Sequence, residues 1–147
     1  MKGGERWRRL QQMASLREKV AAHDFRAALA EEREAKELLE EGRARVREEE
    51  ARWKEGLLKG AGREELLWIW QGAEGARKAE KALFLEWRAR EALRREKERR
   101  FQEARRDLRT YERLAEKAEA EAQKRTRDQA QKALDEAAIL RWKGGDA

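Results

Sequence analysis

The sequence predicts an all-α fold: an antiparallel two-helix coiled-coil hairpin with a longer, overhanging C-terminal helix. Three observations carry this expectation. Charged residues make up 46% of the chain and proline is absent, a bias toward Ala, Glu, Lys, Arg and Leu that marks long helices. Apolar residues recur with a seven-residue period from about position 63 to 129. A single glycine-rich stretch, with Gly56, Gly60 and Gly62, punctuates the middle of the chain.

The seven-residue period is read in alternating steps of three and four. It runs through Leu66, Ile69, Ala73, Ala76, Glu80, Leu83, Trp87, Arg90, Arg94, Lys97, Phe101, Ala104, Leu108, Tyr111, Ala115, Ala118 and Ala122. Thirteen of these seventeen are apolar or aromatic, in a chain where 39% of residues are hydrophobic. A spacing of 3.5 residues keeps one stripe of a slightly underwound helix turned toward a partner helix. Six tryptophans and this sustained stripe set the chain apart from a highly charged disordered segment.

Upstream, Met1–Glu5 contains a Gly3-Gly4 pair expected to fray. A first helix is expected over about 6–58. Its stripe is looser: Trp7, Leu10, Met13 or Ala14, Leu16 or Arg17, Val20 or Ala21, Phe25, Ala28 or Leu29, Ala35, Leu39, Gly42, Val46 and Trp53. Glycine at 42 costs about 1 kcal/mol relative to alanine in a helix interior. The turn is placed at about 59–63 with its tip near Gly60, because glycine tolerates the left-handed backbone that closes one helix before another. A short connection makes the two helices antiparallel neighbours.

The second helix is expected over about 64–142, roughly 118 Å at 1.5 Å per residue. The first helix reaches only to about Ala118 of it, so the last two dozen residues should project alone until Gly144-Gly145 ends them. Leu134, Ala137, Ala138, Ile139, Leu140 and Trp142 lie on that overhang, and a contiguous apolar stripe there points to a protein partner. The whole chain, 1–147, reads as one coiled-coil domain.

Composition narrows the function classes. A formal charge of +6 and a pI near 9.8 favour acidic partners, although most charges alternate along solvated faces. The absence of cysteine excludes a disulfide scaffold and thiolate metal sites. No apolar run approaches the length of a membrane span and no signal-peptide core is present, so a cytoplasmic chain is expected.

No catalytic, cofactor or metal residue can be nominated. His23, the sole histidine, lies beside Asp24 and lacks the several convergent ligands of a metal site. Ser15 is the sole serine, and no histidine stands within hydrogen-bond reach of it in sequence. The loop glycines lack the Lys-Ser/Thr of a phosphate-binding loop. A two-helix chain also offers no water-excluding cleft in which to split two carboxylate pKa values. The chain is expected not to be an enzyme and to need no cofactor.

Between Arg88 and Arg109 ten cations are interleaved with Trp87 and Phe101, and Arg90, Arg94 and Lys97 fall on the stripe itself. Cations there are costly unless paired across the interface or free to snorkel. Glu91, Glu96, Glu98, Glu103 and Asp107 are mixed among them, so a solvated, partly cross-paired face is favoured over a nucleic-acid surface. Trp87 falls on the stripe as a core residue. Trp53 and Trp70 stand at comparable distances from the turn and are placed to pack on one another, with Trp68 off the stripe as a partner-facing patch.

Several stretches resemble one known family, the FliJ-type stalk proteins of flagellar type III export, over nearly the whole chain. The opening Trp7-Arg8-Arg9-Leu10-Gln11-Gln12 and Leu16-Arg17-Glu18-Lys19 resembles that family's first-helix text. Trp53-Lys54 is similar to its aromatic–basic pair before the turn. The tail, Gln131-Lys132-Ala133-Leu134-Asp135-Glu136-Ala137-Ala138-Ile139-Leu140-Arg141, resembles its KxLDExA ending. Ala73 and Ala76 depart from the larger apolar side chains the family often carries there.

The resemblance implies a non-enzymatic component peripheral to the inner face of the cell membrane. It implies contact with a hexameric export ATPase through the helix ends, here Trp7, Leu10, Leu134, Ile139, Arg141 and Trp142. It implies contact with the cytoplasmic domain of a membrane export-gate protein on the tip side, here Val46, Trp53, Leu66, Ile69, Trp70 and Ala73. Export chaperones are further implied partners, nucleic acid is disfavoured, and the free chain is expected to be monomeric. The alternative class is a generic coiled-coil scaffold or a nucleic-acid-associated basic rod.

Overall fold

A computed structural model describes residues 2–145, and these form two α-helices: α1, Lys2–Leu58, and α2, Arg63–Gly145. No strand occurs among the described residues. Both helices outrun the expected ends. Gly3 and Gly4 lie within α1, and Gly144 and Gly145 within α2. A glycine costs a helix about 1 kcal/mol, whereas a turn propagating from an established helix already carries the nucleation cost, so terminal glycines need not stop it.

The turn shows why α1 stops. Gly60 has φ of +69°, a left-handed conformation that side chains other than glycine adopt at a cost. Its N–H donates to the carbonyl of Leu57 at 3.3 Å, and the N–H of Ala61 donates to the carbonyl of Gly56 at 2.9 Å. Together these are the two bonds of a Schellman cap, which satisfy carbonyls otherwise orphaned at the helix end. The next helix starts at once: the Gly62 carbonyl accepts from Leu66 at 3.0 Å, and Glu64 and Glu65 occupy the first turn. Acidic side chains there complement the partial positive charge of a helix N-terminus.

Packing contacts divide the chain into two units, residues 21–101 and residues 1–20 with 102–147. In the first, the two helices run antiparallel. Phe25 stacks on Phe101 with centroids 5.7 Å apart, Arg43 pairs with Glu80 at 3.7 Å, and Arg77 with Glu50 at 3.5 Å. The buried residues of α1 are Ala22, Ala28, Ala35, Leu39, Val46 and Gly56, and those of α2 include Ala73 and Ala76.

Small residues let the helices approach closely. A side chain at Gly42 would meet Cδ1 of Leu83 at 2.7 Å, so Leu83 occupies the notch that this glycine leaves. Gly56 is likewise covered by Ile69 and Leu66, at 3.2 and 3.4 Å from where a Cβ would stand. The glycine at 42 thus trades helix propensity for contact with a leucine across the interface.

In the second unit, Trp7 faces Tyr111 at 6.3 Å between ring centroids, and Arg8 pairs with Glu119 at 2.9 Å. Ala14 and Ala115 are buried there, flanked by half-buried Leu10, Ala104, Leu108 and Ala118. From Glu119 to Gly145 every residue of α2 is exposed.

The stripe expected on α2 is covered from Leu66 to Ala118, each of its positions buried or half-buried, and Ala122 is exposed. On α1 the structure selects one phase from the loose alternatives. Ala14, Glu18, Ala21, Phe25, Ala28, Glu32, Ala35, Leu39, Gly42, Val46, Glu49, Trp53 and Gly56 are buried or half-buried, alternating by four and three. Met13, Leu16 and Val20 are exposed.

Candidate interaction surfaces

Near the turn, two of the residues expected to meet a partner are closed off. Val46 is 9% exposed and Ala73 3%, because both fill the interface between α1 and α2. Both are therefore core residues here, and neither side chain lies on the outer surface of the free chain. Trp53, Leu66 and Ile69 are half-buried along the same interface. Of the tip-side set only Trp70 is exposed, at 46%. No ring contact joins Trp53 to Trp70 among the described residues, since Trp53 is on the covered stripe and Trp70 at its edge.

The outward surface of the tip belongs instead to Leu57, Leu58, Leu67 and Trp68, all exposed. Trp68 borders a shallow cleft of about 320 Å³ with Glu49, Arg52, Ile69, Gln71 and Gly72. The cleft exists because Gly72 has no side chain: a Cβ there would stand 3.0 Å from Oε2 of Glu49. Periodicity does not nominate the leucines at 57, 58 and 67 as contacts, although large apolar groups off the stripe are the signal that could.

In the unit of residues 1–20 and 102–147, the six expected residues form two separate groups. Trp7 and Leu10 are half-buried; Trp7 meets Tyr111 of α2, and the Arg6 guanidinium lies over its ring, 5.9 Å from the centroid. Leu134, Ile139, Arg141 and Trp142 are exposed on the uncovered part of α2. Fifteen residues separate Glu119, the partner of Arg8, from Leu134, which is about 22 Å along a helix. Leu134 and Arg141 share a face with Trp142 beside it, while Ile139 stands about 140° around from Leu134 at about 100° per residue. Where α1 begins, a cleft of about 350 Å³ is lined by Trp7, Arg8, Ala118, Glu119, Ala122 and Arg125, among others.

The basic run splits into a neutralised part and a free part. Arg94 donates from Nε to Oε2 of Glu32 at 2.7 Å across the interface and from Nη1 to Oε2 of Glu98 at 2.7 Å along its own helix. Hydrogen bonding to Glu32 above all raises its pKa. Arg90 is held similarly, its pKa raised first by the Glu86 hydrogen bond and then by the charge of Glu31. Arg88 and Arg95 both reach Glu91, which is 8% exposed, and Arg99 and Arg100 share Glu96. In the other unit, Arg106 and Arg109 of the run are exposed and make no ion pair among the described residues, and the same holds for Arg113, Lys117 and Lys124 beyond it.

Two further features bear on chemistry. The Trp87 indole N–H is buried without a hydrogen-bond partner, a local cost accepted for the packing of its ring, which tilts against Phe84 at 5.9 Å. Among the described residues no group of three or more His, Cys, Asp or Glu is placed to hold a metal ion, and no helix is long and apolar enough to cross a membrane. Comparison with protein-family models, curated proteins and solved structures finds no match.

Proposed function

We propose that this chain is a non-enzymatic stalk and regulatory component of a flagellar type III export apparatus, its two helices packed as a coiled coil. In this reading it promotes assembly and turnover of the hexameric export ATPase and links it to the membrane export gate and to export chaperones, at the inner face of the cell membrane. The observation that carries the reading is the stretch of α2 from Glu119 onward, exposed on all sides, which bears Leu134, Trp142 and the family-like tail. A helix that leaves its pairing with large apolar groups uncovered is suited to enter another protein. Interface anchors are enriched in tryptophan and arginine, which nominates Trp142 and Arg141.

The test is the hydrolysis rate of the export ATPase with and without this protein, at several salt concentrations. Stimulation that disappears when residues after Ala122 are removed supports the reading and locates the working end. No effect at any stoichiometry overturns it.

A second reading has its own observation. The unpaired cations Arg106, Arg109, Arg113, Lys117 and Lys124 lie within about 80° of one another on α2, at steps of three, four or seven residues. A polyanion such as nucleic acid would neutralise them, with an affinity falling steeply as salt rises. A binding titration with single-stranded DNA from about 50 to about 300 mM salt distinguishes the two.

A further inference from the structure

The residues of unit 21–101 contain a second stripe with the same period as the covered one. Trp68, Gly72, Gly75, Ala79, Ala82, Glu86, Ala89 and Leu93 alternate by four and three along α2, and all eight are exposed. Leu85 and Ala92 broaden it. Trp68 is 77% exposed, Leu85 61% and Leu93 40%, so this is an apolar face with large groups on it, not a run of small residues alone. It stands about 100° around the helix from the stripe that α1 covers and stays exposed along its length, with Glu49 of α1 bordering it at Gly72.

We propose that this face is a self-association surface, on which a second copy of the chain packs antiparallel about a twofold axis between Ala79 and Ala82. Sizes and charges match under that operation. Trp68 comes opposite Leu93 of the second copy, so the large groups close both ends. Gly72 comes opposite Ala89, and Ala79 opposite Ala82, so small residues meet in the middle and allow a close helix approach. Glu86, the one charge on the stripe, comes opposite Gly75, whose missing side chain leaves it room. One turn from Gly75 is Lys78, placed to meet the Glu86 carboxylate, whose Oε1 also accepts from Arg90 Nε of its own helix at 2.9 Å. A twofold axis makes each of these contacts twice. A helix of another protein would owe this face no such match.

The expected strength follows from the size. The 26 residues from Trp68 to Leu93, on a helix about 10 Å wide, present on the order of 400 Å² per copy, roughly half the area of a standard interface. The association is therefore weak and dependent on concentration. It does not depend on an export role.

Sedimentation of the full chain from about 10 to about 500 µM, a range chosen for an interface of this size, tests it. The mass should climb from 17.4 kDa toward twice that value. Ala82→Glu, an exposed helix position, should keep the helical circular dichroism and hold the chain at monomer mass. Lys78→Glu alone should weaken association about fivefold or more, and adding Glu86→Lys should restore it, because the swapped charges face each other again across the axis. A monomer at every concentration, a dimer indifferent to Ala82→Glu, or a double variant no tighter than the single one would overturn the proposal.

Discussion

Arg94 and Glu32 meet at 2.7 Å across the two helices, and each stands on the stripe its own helix buries. An apolar stripe binds equally well at neighbouring registers, whereas this pair is satisfied at one alone, so it acts as a registration mark. Glu98 completes the arrangement by holding the far side of the guanidinium.

Replacing Glu32 by alanine should therefore lower stability by about 1 kcal/mol, since Arg94 keeps Glu98 but loses its cross-helix partner. Replacing both Glu32 and Arg94 by leucine should be neutral or stabilising, because apolar groups then fill the stripe. Urea unfolding followed by circular dichroism checks both. A double leucine variant less stable than Glu32→Ala would contradict the registration account.

The Schellman cap makes a separate prediction. Gly60→Ala forces a side chain into a left-handed backbone and should cost about 1–2 kcal/mol. Gly60→Asn should cost less, because asparagine tolerates that conformation. Thermal melts of the two variants beside the parent decide it.

Two helix-interior glycines should respond differently to the same change. At Gly75 an added Cβ would have no atom within 4 Å, so Gly75→Ala at low micromolar protein should gain about 1 kcal/mol of helix propensity. Gly42→Ala offers the same intrinsic gain but must displace Leu83, and should come out at least about 1 kcal/mol worse than Gly75→Ala. Equal denaturation midpoints for the two would show that Leu83 yields without cost.

Acid should weaken the fold through two exposed carboxylates. Lys59 beside Glu55 and Arg99 beside Glu96 hold those carboxyls below their ordinary value of 4.5, mainly through side-chain hydrogen bonds. A carboxyl with a depressed folded pKa binds fewer protons in the folded state. Its contribution is thus present above 4.5 and is lost as pH falls through the lower folded value. Melting temperature should be flat above about pH 5 and fall below it, less so at high salt. Glu55→Gln with Glu96→Gln should flatten the acid limb.

On the uncovered part of α2, changing Leu134, Ile139 and Trp142 to alanine should leave unfolding free energy within about 0.5 kcal/mol of the parent, because none touches another helix. The same variant should lose ATPase stimulation under the export reading. A collapse of helix content would mean that these side chains hold up the structure itself.

The two helices, the turn at Gly60 and the covered stripe of α2 from Leu66 to Ala118 are all legible in the amino-acid order. Each is written in local terms: a 3.5-residue period, helix-forming composition, and a glycine where the backbone turns left-handed. The phase of α1, with Ala14 and Ala28 inward and Met13 outward, emerges only once the helices are packed. So do the closure of Val46 and Ala73 and the neutralisation of some arginines of the basic run but not others. Those outcomes depend on the register between residues some sixty positions apart in the chain, such as Glu32 and Arg94. A register is set by the sum of contacts on two helices at once, so neither helix's own pattern contains it.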